Sequence, residues 1–314
     1  MSTLLDEPPV TQTSMPSQRL RTAMAAVRVS VSLFGVRKTL SQEQRSQAAD
    51  TFGANAKYVS AGKKLLDTGH TSFRNVTAVK NRCLQYWKGM TLPYPESGIR
   101  LLRQDQIELF DNRMQQFQVE LTVAVEQLDN RFEELKAAAE RRLGDLFNQA
   151  DYPTSLEGLF RIDFDFPSVE PPDYLRQLNP DLYRVECDRV VARFDEAVQL
   201  AEEAFTTELS TLVKHLSERL SGNSDGKPKV FRDSAISNLL DFFNRFQNLN
   251  VRSNEQLDDL VENARQIVQG RDPQQLRDNQ LLRQTVALEL SEVQDSLDEL
   301  LVDRPRRNII RRPR

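Results

Sequence analysis

Residues 107–128 carry an apolar side chain at every third or fourth position without a miss. The set is Ile107, Phe110, Met114, Phe117, Leu121, Ala124 and Leu128. This 3-4-3-4-3-4 spacing keeps one seam of a helix turned toward a partner helix. The seam continues to about Phe147 after one four-residue step from Leu128 to Phe132, a stutter that locally relaxes supercoiling. It predicts a helix over 104–149, roughly 65 Å long at 1.5 Å per residue. A second stripe runs from Cys187 to Leu220 through Val191, Phe194, Val198, Ala201, Phe205, Leu209, Leu212 and Leu216. Asn179-Pro180 opens that helix and Gly222 lies just past its end, as a cap and a C′ glycine should. The expected fold is therefore mainly α. A long antiparallel, coiled-coil-like hairpin of 104–149 and 178–221 forms its spine. Such a pair alone leaves apolar surface open, so the C-terminal helices or a second protomer must cover it.

The remaining elements are read from period and punctuation. Val27, Val29, Val31 and Leu33 alternate with Arg28, Ser30 and Ser32, a half-buried strand ended by Gly35. Ile162-Asp163-Phe164-Asp165-Phe166 alternates likewise and is its natural antiparallel partner in a two-stranded sheet. A capping box of Ser41 and Gln44 starts a helix expected to run to about Leu66. A second helix covers 72–90 and buries Phe73, Val76, Val79, Cys83 and Trp87. Two prolines keep Thr91–Gly98 out of any helix. A C-terminal helical module follows over 233–249, 254–269 (after a Ser253/Gln256 capping box) and 273–302. The expected organisation is a disordered Pro/Ser/Thr-rich tail at 1–17 and a hairpin domain at 18–221. A flexible loop at 222–229, the helical module at 230–302 and a basic tail at 303–314 complete it.

The net charge of −4 conceals a strong asymmetry. Residues 17–90 carry +10, residues 91–303 carry −18, and residues 304–314 carry +6; Asp6 and Glu7 supply the rest. A basic head, an acidic body and a basic tail suit self-assembly or an acidic partner, or a protomer whose own basic and acidic parts face each other. No stretch approaches about 18 apolar residues, so no membrane span is expected. The segment 18–36 is too interrupted by Arg28 and serines for a secretory signal, although its Arg/Ser-rich, acid-poor character imitates a transit peptide. Cys83 and Cys187 read as reduced thiols of a cytoplasmic protein.

Chemistry-bearing motifs are sparse. His70 and His215 are the only histidines, and neither has a Ser or Cys placed by a recognisable motif. Asp163 and Asp165 share a strand face near Glu170 and Asp173, a set that holds Mg²⁺ or Ca²⁺ in other settings but reads first as a solvated face. No Cys/His spacing fits zinc. Gly53–Lys57 and Gly62–Lys64 lack the eight-residue Walker pattern. The stretch 57–88 interleaves Lys57, Lys63, Lys64, Arg74, Lys80, Arg82 and Lys88 with Tyr58, Phe73, Tyr86 and Trp87. Phosphate contact with stacking needs such residues exposed; here the rings fall on the apolar stripe, which favours core packing. No enzyme, cofactor or metal site is expected.

Four short segments carry a resemblance. They are Phe34-Gly35-Val36-Arg37-Lys38-Thr39-Leu40-Ser41 after a strand; Lys63-Lys64-Leu65-Leu66; Thr91-Leu92-Pro93-Tyr94 followed by Gly98-Ile99-Arg100-Leu101-Leu102; and Leu143-Gly144-Asp145-Leu146-Phe147 before Tyr152-Pro153. Over roughly residues 27–220 the chain resembles a family of uncharacterised bacterial and phage proteins encoded beside MoxR-type AAA+ ATPases and von Willebrand A-domain proteins. It departs at Phe34, where the family has Trp. The resemblance implies a helical accessory component of an AAA+ system and carries over no catalytic residue.

The function expected from these observations is a non-enzymatic adaptor or scaffold, partnered by an AAA+ ATPase and a von Willebrand A-domain protein, with self-association open. Its contact residues would be Thr91, Pro93, Tyr94 and Pro95, the tip at Tyr152 and Pro153, and the tail arginines Arg304, Arg306, Arg307, Arg311, Arg312 and Arg314. The alternative is a nucleic-acid-associated protein using the basic head and that tail.

Overall fold

In the computed structural model, which describes residues 15–221 and 233–302, the backbone is mainly helical. Chain order is α1 (Pro16–Ala23), β1 (Met24–Ser32), β2 (Arg37–Thr39), α2 (Gln42–Thr51), β3 (Gly62–Lys64), α3 (Thr71–Met90), β4 (Thr91–Pro93), β5 (Ile99–Arg103), α4 (Ile107–Asp129) and α5 (Phe132–Leu143). Then come β6 (Arg161–Asp165), α6 (Tyr174–Leu178), α7 (Pro180–Ser221), α8 (Ser234–Leu249), α9 (Glu255–Val268), α10 (Pro273–Asp278) and α11 (Gln280–Val302). The chain divides into two compact units, each built from separated stretches. One holds the described residues up to Ala26, 90–104, and everything described from Ser168 onward; the other holds 27–89 and 105–167.

The second unit is organised by the opening heptad stripe. Phe110, Met114, Phe117, Leu121, Ala124 and Leu128 are all buried. They meet the apolar face of α3, where Phe73, Val76, Val79, Cys83 and Trp87 are buried as the spacing requires. Cys83 Sγ lies 3.8 Å from Met114 Sδ, and the Tyr86 ring stacks on Phe110 with centroids 5.8 Å apart. Glu120 of α4 accepts from Arg82 of α3 and from Arg113. β1 pairs antiparallel with β6, from Arg28 opposite Asp165 to Ser32 opposite Arg161. Gln118 fastens β6 to α4 by donating to the Ile162 carbonyl at 2.8 Å.

The first unit is organised by α7, whose 42 residues span about 63 Å. Its long antiparallel partner is α11. Ser217 donates to the Ala287 carbonyl, and Gln294 donates to Ser210, a register that runs oppositely along the two helices. Val286, Leu290, Val293 and Leu297 of α11 are buried with a 4-3-4 spacing of their own. α8 adds an aromatic cluster: Phe205 of α7 meets Phe246 edge-on at 5.0 Å and Phe242 at 6.1 Å. The C-terminal helices therefore cover the α7 seam, one of the two ways of covering it that the sequence leaves open.

Several expectations need correction. The stripes of 107–128 and 187–220 are real, but they do not form one hairpin; each is filled inside its own unit. The helix expected over 104–149 breaks at Asn130-Arg131, where the stutter falls, and α5 ends at Gly144 with φ +51°, a conformation reserved for glycine. The helix expected from Ser41 to Leu66 keeps its capping box but stops at Thr51, because Gly53 turns the chain with φ +61°. Residue 190, not Val191, is on the buried face of α7. The cap of α9 is Asn254, which accepts from the Leu257 N–H, rather than Ser253. The units part at 26, 89, 104 and 167, not at 222–229. Residues 1–14, 222–232 and 303–314 lie outside the described residues, so the tail, the loop and the Arg-rich segment do too; Pro16 already opens α1.

Candidate protein-docking surfaces

Of the six sequence-predicted contact residues that are described, three are buried and three half-buried. Thr91 and Tyr94 are buried in the β4–β5 hairpin, with Pro93 and Pro95 half-buried beside them. Arg100 locks the hairpin by donating to the Thr91 hydroxyl and carbonyl, each at 2.7 Å. Burial pushes the Arg100 guanidinium down to about 10, with the nearby Arg245 charge acting the same way. The Tyr94 ring meets Phe194 of α7 edge-on at 5.6 Å, and Arg193 pairs with Glu96 on the same hairpin. These residues hold the hairpin to α7; only the turn at Glu96–Gly98 is exposed. Tyr152 is likewise a core residue. Its ring stacks on Phe147, and its hydroxyl donates to the Leu65 carbonyl at 2.9 Å. Pro153 is half-buried, and the following turn is tied down by Ser155 and the Leu156 N–H, which both donate to Asp129. Arg304, Arg306, Arg307, Arg311, Arg312 and Arg314 lie outside the described residues.

The surfaces that remain open lie elsewhere. α1 packs on α7 and leaves a groove of about 410 Å³, lined by Met15, Ser17, Gln18, Arg21, Val191, Phe194 and Asp195. Phe194 forms its buried floor, while Met15 and Val191 are exposed at its edges. Arg21 is held at the rim by a two-pronged ion pair with Glu170. The groove combines the apolar Met15, Val191 and Phe194 with the polar Ser17, Gln18, Arg21 and Asp195, which suits an apolar side chain from a protein partner. Further along, Leu182 and Val185 share an exposed face of α7, and Tyr174 and Leu178 share one on α6; Leu178 is 77 % exposed. Asp181, Arg184, Asp188 and Arg189 stand around them in mixed sign.

Of the groups weighed for covalent or acid–base work, His70 and Asp165 have structural partners. His70 Nδ1 sits 2.7 Å from the Ser72 hydroxyl at the start of α3, and His215 is exposed on α7. Asp165 is clamped by Arg28 at 3.0 and 2.6 Å, and this guanidinium holds its carboxyl below the usual carboxylate range. Asp163, on the same face, is exposed. No group of three or more His, Cys, Asp or Glu side chains able to hold a metal is found among the described residues. Cys83 is buried and pushed up to about 11, first by burial; it and the half-buried Cys187 are both free thiols. No helix among the described residues is long and apolar enough to cross a membrane.

One arrangement escaped sequence reasoning. Asp151 pairs with Lys38 through one oxygen and Lys63 through the other, both at 2.6 Å, and Lys63 also donates to the Leu146 carbonyl. Lys63 and Asp151 side chains are 6 % and 4 % exposed. Tyr58, whose ring the sequence reading puts on an apolar stripe, stands 89 % exposed, and Phe52, within the helix expected to run to Leu66, stands 84 % exposed. The signal was present in Gly53 and Asn55, which interrupt that helix. Compared with known proteins, the chain matches no family model, and neither a similar curated protein nor a similar solved structure was found.

Proposed function

We propose that this protein is a non-enzymatic adaptor or scaffold that docks protein partners and works with an AAA+ ATPase of the MoxR type. The observation that carries the docking part is the open apolar surface of α6 and the first turns of α7. Leu178, Leu182 and Val185 are exposed on α6 and the first turns of α7, where no residue before Val190 is buried, and the α1–α7 groove adds a side-chain-sized recess. Apolar positions at helical spacing ringed by mixed charge suit an amphipathic helix of a partner. The ATPase as partner rests on the family resemblance of residues 27–220 and on no geometric feature. Docking without chemistry agrees with the structural employment of His70 and Asp165.

Affinity purification of the native protein from its source cells, with nuclease and with or without a non-hydrolysable ATP analogue, tests the reading. Recovery of an AAA+ ATPase that changes with nucleotide is the expected result. Loss of every protein partner after nuclease treatment contradicts it.

A further inference from the structure

The segment between β2 and β3 forms a cationic, ring-bearing projection that the docking reading does not use. β2 and β3 pair antiparallel, with Arg37 opposite Lys64, Lys38 opposite Lys63 and Thr39 opposite Gly62. Two like-charged pairs directly across a two-stranded ribbon oppose its formation. One of them is neutralised: Lys38 and Lys63 share Asp151. The other is not. Side chains two apart share a face of a strand, so Arg37 and Lys64 lie on the opposite face from the Asp151 network. Both are exposed, and neither joins an ion pair among the described residues. Lys57, exposed and equally without an ion pair, lies on the excursion that the ribbon closes.

The same excursion presents two aromatic rings to water. Phe52 follows α2 directly, and Tyr58 ends a short 3-10 turn capped by Asn55, which accepts from the Lys57 N–H. The Ala54 N–H donates to the Ala49 carbonyl, so the turn holding Phe52 is fastened back on α2, and the Tyr58 N–H donates to the Asn55 carbonyl in its own turn. The Leu40 N–H donates to the Ala61 carbonyl and closes the base of the excursion above the ribbon. Exposed rings on the excursion, with Lys57 on it and Arg37 and Lys64 at the far end of the ribbon that closes it, none of the three in an ion pair among the described residues, match the two demands of single-stranded nucleic acid: phosphates need fixed positive charge, and unpaired bases need a π-face. A lipid surface is the poorer match, since no exposed Leu, Ile, Val or Met accompanies the rings on this turn.

We infer that the β2–β3 projection binds single-stranded nucleic acid, with Arg37, Lys57 and Lys64 contacting phosphates and Phe52 and Tyr58 stacking on bases. The inference is independent of the adaptor reading. Fluorescence anisotropy with labelled 20-mers of oligo(dT) and oligo(rU) tests it on the full chain. Binding should weaken with salt at a log–log slope of about −2 or steeper, since each single-strand phosphate contact contributes roughly −0.7. The combined R37E/K57E/K64E variant should flatten that slope and weaken binding by more than tenfold. F52A and Y58A should each weaken it by about tenfold while leaving most of the salt slope, the mark of stacking rather than charge. All five side chains are exposed, so melting curves should match the parent's. Absence of binding to both oligonucleotides overturns the inference. So does binding that both variant sets leave unchanged, or that is lost only when 304–314 is removed. Binding to phosphatidylserine vesicles but not to oligonucleotides also overturns it, in favour of a lipid surface.

Discussion

Asp151 shows how much one side chain settles in this protein. It lies just before Tyr152, in a segment where sequence reading sees only a break after a long helix. Its carboxylate neutralises two lysines that the β2–β3 register forces together, one of them inside the fold. Burial alone pushes its pKa up, but the Lys38 and Lys63 ammonium groups outweigh burial and hold it below the usual carboxylate range. A carboxyl with a lowered folded pKa contributes stability that is present above its unfolded value of about 3.8 and is lost as pH falls through the folded value. Asp151→Asn therefore should cost about 3 kcal/mol at neutral pH, because it leaves Lys63 buried without its counter-charge. Chemical denaturation at several pH values checks this: the gap between parent and variant should hold above about pH 5 and narrow below about pH 4. A gap that widens in acid would contradict the assignment.

At the scale of elements, periodicity identified the buried faces of α3 and α4 but not the partner of each long stripe. The seam Phe110–Leu128 and the α3 face Phe73–Trp87 are buried residue for residue. The strand pair of β1 and β6 forms as alternation requires. What the spacing of α4 does not encode is which helix fills its seam. Two stripes of similar length suggested each other, yet α7 takes α11, whose Val286, Leu290, Val293 and Leu297 carry a shorter stripe of the same kind. Three of the candidate contact residues are buried for a related reason. Prolines and tyrosines between helices signal a turn, but Thr91, Tyr94 and Tyr152 are turn residues packed inward, and only burial distinguishes them from exposed ones. Neighbouring leucines of α11 test the pairing. Leu290→Ala, at a fully buried position, should destabilise by about 3 kcal/mol in urea unfolding. Leu288→Ala, on the exposed face, should stay within about 0.5 kcal/mol. Equal effects would refute the α7–α11 seam.

For the whole molecule, the chain passes between its two units at 26, 89, 104 and 167, so neither unit is one continuous segment. The helical module of 234–302 accordingly belongs to the same compact unit as α7. A fragment ending at residue 221 would strip α8 and α11 from Phe205, Leu209, Val213 and Leu216, all buried in the full chain. It should keep the transition of the other unit, whose residues 27–89 and 105–167 it retains whole, and lose that of the α7 unit; an α7 unit that still melts sharply by circular dichroism would contradict the division. The adaptor account depends on the opposite kind of surface, apolar positions that folding leaves uncovered. Glutamate at Leu178, Leu182 and Val185 together should spare the fold, since all three are exposed, and remove the docking face. The most direct measurement is parallel affinity purification of the parent and this triple variant from source cells in the presence of a non-hydrolysable ATP analogue. The account predicts an AAA+ ATPase recovered with the parent and depleted at least tenfold with the variant. Equal recovery with both, or recovery with neither, would contradict it.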